Sequence, residues 1–147
     1  MRVRYRLPQP YRDLEHTADV GVEVEGDSAA EALARLVLAE SALLAGGGAV
    51  EPERDEALHA AGTAPVAIAV AALRELLFRF ATERLLAASC EVVALDPHAG
   101  ADLVVGLGRF DPDHHAEGLD LKAVTWHGAR LEPRDGGGWV GRVVFDV

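Results

Sequence analysis

The second half of the chain alternates apolar and polar residues with a period of two. From Cys90 onward, five segments follow this pattern: CEVVALD, ADLVVGLGRF, LDLKAVTWHG, ARLEPRD and GWVGRVVFDV. Successive side chains of a β-strand point to opposite faces of the sheet, so this period is typical of strands with one buried face. The turn-forming segments PHAG, DPDHHAEG and DGGG separate them, and RDGGGW favours a hairpin because glycine adopts positive φ without steric cost. The pattern therefore predicts a series of successive strands.

The first half of the chain predicts another strand and a helix. Valines alternate with glycine and glutamate over residues 20–24, as in a half-buried strand. Ser28, followed three residues later by Glu31, forms a capping box, in which the hydroxyl and the carboxylate each bond an otherwise unpaired backbone N–H. Leucines then recur at helical spacing until the glycines at 46–48, which are expected to end this helix.

A second helix completes the predicted fold. It is expected to run from Pro65 to about Leu86, with Thr63 as its cap and a proline in its first turn. The acidic segment before it is either a loop or a short strand around 57–61. Strands, two helices and further strands predict an α+β sandwich: a mixed, mostly antiparallel sheet with both helices packed on one face. A chain of 147 residues is expected to form a single domain, residues 1–147.

The charge of the chain argues against strong, direct binding of nucleic acid. The net charge is −10, and Lys122 is the only lysine, whereas phosphate backbones are bound by clustered basic residues. An acidic surface suits a partner with basic patches, or a cation. No apolar run approaches the roughly 20 residues that cross a bilayer, and the single Cys90 suits a reducing compartment. We therefore expect a cytoplasmic protein without membrane association, in which Cys90 is a buried structural thiol.

Polar groups directly precede the first predicted strand, in the stretch LEHTADVGVEVEG. Glu15, His16, Thr17 and Asp19 could each bind a metal or a proton. His16 and Asp19 would face opposite sides of a strand, so they can share a site only if the chain turns before the strand begins. Composition alone favours a simple turn, in which Thr17 and Asp19 bond the local backbone.

The end of the sequence offers a second group of oxygen ligands. Asp146 lies in the apolar strand pattern VVFDV, and Val147 follows it with an α-carboxylate. A strand would hold these carboxylates in place, and hard oxygen ligands suit calcium, magnesium or manganese with waters completing the shell. The sequence alone does not show whether this end meets Asp19.

Two further candidates have simpler explanations. His114 and His115 are adjacent in FDPDHHAEG, where a solvated loop is favoured over a metal site because no ligand spacing typical of zinc is present. Lys122 shares one face of an alternating strand with Asp120, so a plain surface pair is the alternative to a functional role. Phosphate-binding loops, dinucleotide-binding glycine motifs and a nucleophile elbow do not occur.

Read together, these segments resemble the archease family. The matching pieces are YRDLEHTADVGVEVEG, the helical LRELLFRF, and FDPDHHAEGLDLKAVTWHG followed by GGGWVGRVVFDV. They occur in the family's order and cover nearly the whole chain. One departure is Glu15, where the family usually has Asp.

The resemblance implies a function and a set of site residues. It implies a non-enzymatic activator of the GTP- and manganese-dependent RNA ligase, promoting ligase guanylylation and multiple turnover in tRNA splicing and RNA repair. The family's metal site, often occupied by calcium, falls on Asp19, Asp146 and Val147, and the family's lysine falls on Lys122. Lys122 and His16 are then expected to contact the partner or a phosphate, or to orient a metal ligand.

Two other classes of function stay open at this point. In a small metal-dependent phosphoester hydrolase, Asp19 and Asp146 would hold the metal, and His16 would be the general base. The purified protein would then hydrolyse phosphoesters by itself. A chaperone-like interaction module would instead bind unfolded clients without any metal.

Overall fold

The structure is a computed structural model that describes residues 2–15, 19–46, 49–113, 115 and 118–147. Within these ranges the chain forms strands and helices in the order β1 (Arg4–Arg6), β2 (Arg12–Glu15), β3 (Asp19–Gly26), α1 (Ala29–Leu44), β4 (Arg54–Ala61), α2 (Pro65–Glu83), β5 (Leu85–Asp96), β6 (Gly100–Arg109), β7 (Ala123–Pro133) and β8 (Trp139–Asp146).

The strands form two four-stranded sheets with the orders β1-β5-β6-β4 and β2-β3-β8-β7. Each strand pair within the described residues is antiparallel. Both helices contact strands of both sheets and lie between them. The predicted α+β sandwich of helices and antiparallel strands is confirmed, and the strands are divided between two sheets. Helix α1 is buried on all sides, for example at Leu33, Leu36 and Leu38, so it requires cover from both directions.

The ends of α1 are closed by specific hydrogen bonds. Ser28 Oγ accepts from the backbone N–H of Glu31 (3.1 Å), and the Glu31 carboxylate accepts from the N–H of Asp27 (2.9 Å), which confirms the capping box. The bond from Asp27 lowers the pKa of Glu31, and Tyr5 adds a second bond to this carboxylate (3.0 Å). At the other end, residues 118 and 119 donate N–H groups to the carbonyls of residues 44 and 43. These bonds satisfy helix carbonyls that have no partner within the helix.

Helix α2 begins where predicted but differs at its cap and its end. Its N-cap is Ala64, with no side-chain hydrogen bond, so the prediction of Thr63 as the cap is wrong. The helix ends at Glu83 rather than near Leu86, because Arg84 adopts the left-handed conformation (φ 58°, ψ 33°) and the chain enters β5. The apolar residues after Arg84 are buried on both faces of β5, and such a run resembles a helix segment in sequence. The acidic segment before α2 forms a strand, β4.

The C-terminal strand patterns are confirmed, with one change. Parts of the segments LDLKAVTWHG and ARLEPRD form one strand, β7, whose register with β8 is irregular between Thr125 and Arg130. Gly128 lies in this irregular part with φ 67°. Because β7 starts at Ala123, Lys122 precedes the strand and is exposed, whereas Val124 is buried. The prediction that Lys122 lies on an alternating strand is therefore wrong.

Buried residues of β8 fix the end of the chain in the second sheet. Strand β8 lies between β3 and β7, and Val143, Val144 and Phe145 are almost completely buried. Cys90 is also buried, which raises the pKa of its thiol to about 12 and confirms it as a structural thiol. Neither α1 nor α2 combines the length and the hydropathy that crossing a bilayer requires.

Candidate functional site

Two aspartates meet at one end of the second sheet. Asp19 is the first residue of β3 and Asp146 is the last residue of β8, and the antiparallel register places them directly opposite each other. Side chains of directly opposed residues lie on the same face, with Cβ atoms about 5 Å apart. The fold therefore brings together two carboxylates that are far apart in the sequence. Asp19 is partly buried and Asp146 is exposed.

The lysine lies at the same end of the sheet. Ala123, the first residue of β7, is opposite Asp146, and the backbone N–H of Lys122 donates to the carbonyl oxygen of Asp146 (2.8 Å). The Lys122 side chain is exposed and forms no ion pair with a carboxylate of the described residues. Its ammonium group can therefore meet a group of a partner molecule.

Val147 completes this group of residues. It directly follows Asp146 and is 45% exposed. We call the four residues Asp19, Lys122, Asp146 and Val147 the carboxylate site. The structure thus places four of the five predicted site residues at one end of the second sheet. The fifth, His16, lies outside the described residues, as does Thr17.

The donors of the carboxylate site suit a hard divalent cation. Aspartate oxygens are ligands that calcium, magnesium and manganese prefer, and the rest of their coordination shells can be water. The described residues contain no group of three His, Cys, Asp or Glu side chains that could hold a metal. A metal here would therefore need the α-carboxylate of Val147 as well as the two aspartates, and this ligand set stays a prediction.

His115 has a structural role in its loop. Its Nδ1 accepts from the N–H of Asp111 (2.8 Å), so its Nε2 carries the hydrogen and donates to the carbonyl oxygen of Ala49 (2.8 Å). Both ring nitrogens are thereby bonded to backbone groups, which agrees with the interpretation of this segment as a loop. His114 lies outside the described residues.

One contact beside the carboxylate site was not predicted from the sequence. The Arg74 guanidinium of α2 donates to the carbonyl oxygen of Val124 in β7 (3.1 and 3.3 Å), and it lies 5.6 Å from the centre of the Trp126 ring. Trp126 is 53% exposed. Arg74 therefore joins α2 to the edge strand next to Lys122. No local signal predicts this, because the contact depends on how α2 packs against β7.

Comparison with known proteins gives consistent matches along the chain. The model of the Archease protein family (MTH1598/TM1083) matches residues 11–147. Protein archease of Methanopyrus kandleri is 33% identical over 141 residues, covering 94% of this chain and 99% of that protein. Protein archease of Pyrococcus furiosus is 26% identical and covers 90% and 95%, respectively.

Two solved structures share the fold. The solution structure of Methanobacterium thermoautotrophicum protein 1598 has a TM-score of 0.74 and 22% identity, and covers 93% of this chain and 98% of that chain. The crystal structure of a Thermotoga maritima protein, described as an archease and possible chaperone, has a TM-score of 0.56, 20% identity and coverages of 97% and 99%. The fold and the match over residues 11–147 lead to one conclusion: this chain belongs to the archease family.

Proposed function

We propose that this protein is a non-enzymatic activator of the GTP- and manganese-dependent RNA ligase that acts in tRNA splicing and RNA repair. In this role it promotes guanylylation of the ligase and its multiple turnover. Membership of the archease family supports the proposal. The observation that carries it is the pairing of Asp19 with Asp146 beside Lys122.

In this proposal, the carboxylate site holds a divalent cation. Asp19, Asp146 and the α-carboxylate of Val147 would be the ligands, with calcium as the first candidate and magnesium or manganese as alternatives. The cation would supply positive charge and open positions for oxygen ligands. The contribution of the protein is rigidity, because β3 and β8 hold the two aspartates at fixed register positions.

Lys122 would act next to this cation as a point charge. Its backbone is fixed by the bond to the Asp146 carbonyl, while its side chain is exposed. A lysine ammonium has three donors and can bind a phosphate or a carboxylate from several directions. We therefore assign Lys122 to a contact with a phosphate or with a carboxylate of the ligase.

The charge of the protein suits binding to a basic partner that itself binds the RNA. With a net charge of −10, this chain is a poor ligand for RNA but a good one for a basic protein surface. The ligase would hold the RNA, and this protein would bind the ligase near its nucleotide pocket. The cytoplasm is the expected compartment, in keeping with the single, buried Cys90.

The direct test is a guanylylation assay with purified ligase. Asp146→Ala and Lys122→Ala should lower the stimulation of guanylylation towards the level of the ligase alone. Asp135→Ala is the matched control, because Asp135 is an exposed aspartate in the turn at the other end of β8. Full stimulation by both Asp146→Ala and Lys122→Ala would refute the proposal.

A second test examines the metal ligands without the ligase. Calorimetric titration with calcium should give binding to the unaltered protein and none to Asp146→Ala. A short extension after Val147 converts the α-carboxylate to an amide, so it should weaken calcium binding. If the extended chain binds calcium and stimulates the ligase like the unaltered chain, the α-carboxylate is not a ligand.

A further inference from the structure

Three arginines lie close together at one end of the first sheet. Arg84 directly follows α2, and its carbonyl accepts from the N–H of Phe110 (2.8 Å). Arg109 is the partner of Leu85 in the β5–β6 register, and Arg54 begins β4, next to Leu107 of β6. The three arginines line a cleft of about 500 Å³ with Phe110. The cleft contains three arginines and one carboxylate, Glu83, and Arg54 pairs with Glu56 (3.5 Å).

Two of these arginines are not neutralised by the carboxylates of the described residues. Arg4, by contrast, forms two parallel hydrogen bonds with Asp55 (2.8 and 3.0 Å). Within the described residues, Arg84 and Arg109 form no such ion pair, and Glu83 in the cleft wall pairs with Arg79 (3.8 Å). The Arg109 guanidinium donates one hydrogen bond, from Nη1 to the carbonyl oxygen of Glu83 (3.4 Å). Its other N–H groups and the guanidinium of Arg84 are the donors that an anion could reach.

The backbone of Arg84 is unusual. Among the described residues, Arg84 is the only non-glycine residue with a positive φ, at the position after a helix where glycine is preferred. A side chain in this conformation destabilises the folded state relative to glycine. The Arg84 guanidinium lies 4.8 Å from the centre of the Phe80 ring, so its side chain is directed along an aromatic surface.

A cavity lined by both apolar and polar residues, among them His115 and Asp120, adjoins the arginine cleft. It has a volume of about 820 Å³, within the size range of ligand pockets, and shares Arg84 and Phe110 with the cleft. Its apolar wall includes Leu77, Phe80 and Leu121. The rings of Phe80 and Phe110 meet edge to face, with centres 5.9 Å apart. The apolar wall of the cavity therefore lies next to the exposed side chain of Arg84.

We propose that this end of the first sheet binds a small organic anion with a planar ring system. The ring would occupy the cavity between Phe80 and Leu121, and the anionic group would accept hydrogen bonds from Arg84 and Arg109. Arginine suits this role because its planar fork matches phosphate, sulfonate and carboxylate oxygens. The proposal does not depend on the carboxylate site or on the ligase.

The test uses two fluorescent probes of similar shape on the full-length protein. Anilinonaphthalene sulfonate carries a planar ring system and an anion, and phenylnaphthylamine carries the rings alone. The anionic probe should bind to one saturable site per chain. Arg84→Gln and Arg109→Gln should each weaken its affinity about tenfold, as expected for loss of a charge-assisted hydrogen bond. Both variants should bind the neutral probe as the unaltered protein does.

Two further variants separate ligand binding from a structural role. Arg134→Gln is the matched control, because Arg134 pairs with Glu25 (2.5 Å) in another part of the molecule, so it should bind both probes normally. Arg84→Gly should raise Tm by removing the side chain from the left-handed conformation, while it weakens binding of the anionic probe. Lower affinity in a more stable protein cannot result from unfolding.

Displacement of the probe then identifies the anionic group. Adenosine monophosphate offers a planar ring with a phosphate, and indole acetate offers one with a carboxylate. Displacement by either supports the site and shows which anion it prefers. The proposal is wrong if neither displaces the probe, if the anionic probe does not saturate, or if the arginine variants bind it like the unaltered protein.

Discussion

Asp19 and Asp146 occupy directly opposed positions on β3 and β8, with both carboxylates on the same face of the sheet. Two like charges in this arrangement repel each other, and a divalent cation between them would offset the repulsion. The pair is therefore expected to destabilise the metal-free protein and to stabilise the metal-bound one.

Asp146→Asn should raise the free energy of unfolding of the metal-free protein by about 0.5 kcal/mol, because it removes one of two opposed charges. The same variant should lose the rise in Tm that calcium gives the unaltered protein. Urea unfolding with a chelator, and thermal unfolding with calcium, measure the two effects. Asp135→Asn should change neither, and an Asp146→Asn protein that calcium still stabilises fully would contradict the prediction.

Arg74→Gln should loosen the edge strand beside Lys122. The substitution removes the guanidinium that donates to the Val124 carbonyl and lies near Trp126. Because Arg74 is exposed and water can replace part of the bond, we expect a loss of about 1 kcal/mol in the free energy of unfolding. Near-ultraviolet circular dichroism should also change, since Trp126 loses a neighbour. Arg2→Gln is the control, because Arg2 precedes β1 and pairs with Glu91 of the first sheet. An equal change in the spectra of both variants would contradict a specific contact between Arg74 and Trp126.

Ser28→Ala and Thr63→Ala form a matched pair that tests the helix caps. Ser28 Oγ accepts the N–H of Glu31 at the start of α1, whereas α2 has no side-chain cap bond. Ser28→Ala should therefore lower the free energy of unfolding by about 1 kcal/mol, and Thr63→Ala should change it much less. Denaturant titration of both variants gives the comparison. If both variants lost the same free energy of unfolding, the Ser28 cap bond would not contribute the stability that we assign to it.

Glu40 should make the protein less stable as the pH rises. This residue of α1 is 1% exposed, its Oε2 has no hydrogen-bond partner among the described residues, and burial raises its pKa well above the usual range. The folded protein therefore retains the Glu40 proton at pH values where the unfolded chain has lost it. The contribution of protonated Glu40 is complete below the unfolded pKa and is lost as the pH rises towards the folded pKa.

Glu40→Gln tests this pH dependence. The variant lacks the titrating group, so the stability of the unaltered protein should fall relative to it by up to about 1.4 kcal/mol per pH unit above the unfolded pKa. Urea unfolding between about pH 5 and pH 8 covers the interval in which an unperturbed carboxyl is already ionised. Glu75→Gln, on an exposed position of α2, should follow the unaltered protein. Parallel curves for the unaltered protein and Glu40→Gln would show that Glu40 does not titrate as proposed.

Local patterns predicted most of the secondary structure, and their failures have physical causes. The capping box at Ser28 and the alternation in VVFDV are local signals, and both correspond to observed elements. The sequence-based prediction for the end of α2 is wrong, because Arg84 ends the helix in the left-handed conformation, a position that glycine usually occupies. The division of the strands into two sheets also has no local signal, since it follows from the need to cover α1 on both sides.

The candidate site could be predicted only in part. The chemistry of Asp19 and Asp146 was visible in the sequence, but their proximity came from a family resemblance and not from any local pattern. The register of β3 against β8 supplies that proximity in the structure. The arginine cluster at Arg84 and Arg109 was not predicted, because strands β5 and β6 bring these residues together and no motif connects them.

The central position of β8 has a consequence for how the protein folds. Its neighbours β3 and β7 do not pair with each other, so both have open edges until β8 enters between them. Open edges promote pairing between chains, and contacts between distant parts of a sequence form slowly. Because Asp146 ends β8, the insertion that closes the second sheet also brings Asp146 opposite Asp19. The two carboxylates therefore lie opposite each other only in the completely folded protein. A partner that binds both of them would bind folded chains in preference to partly folded ones.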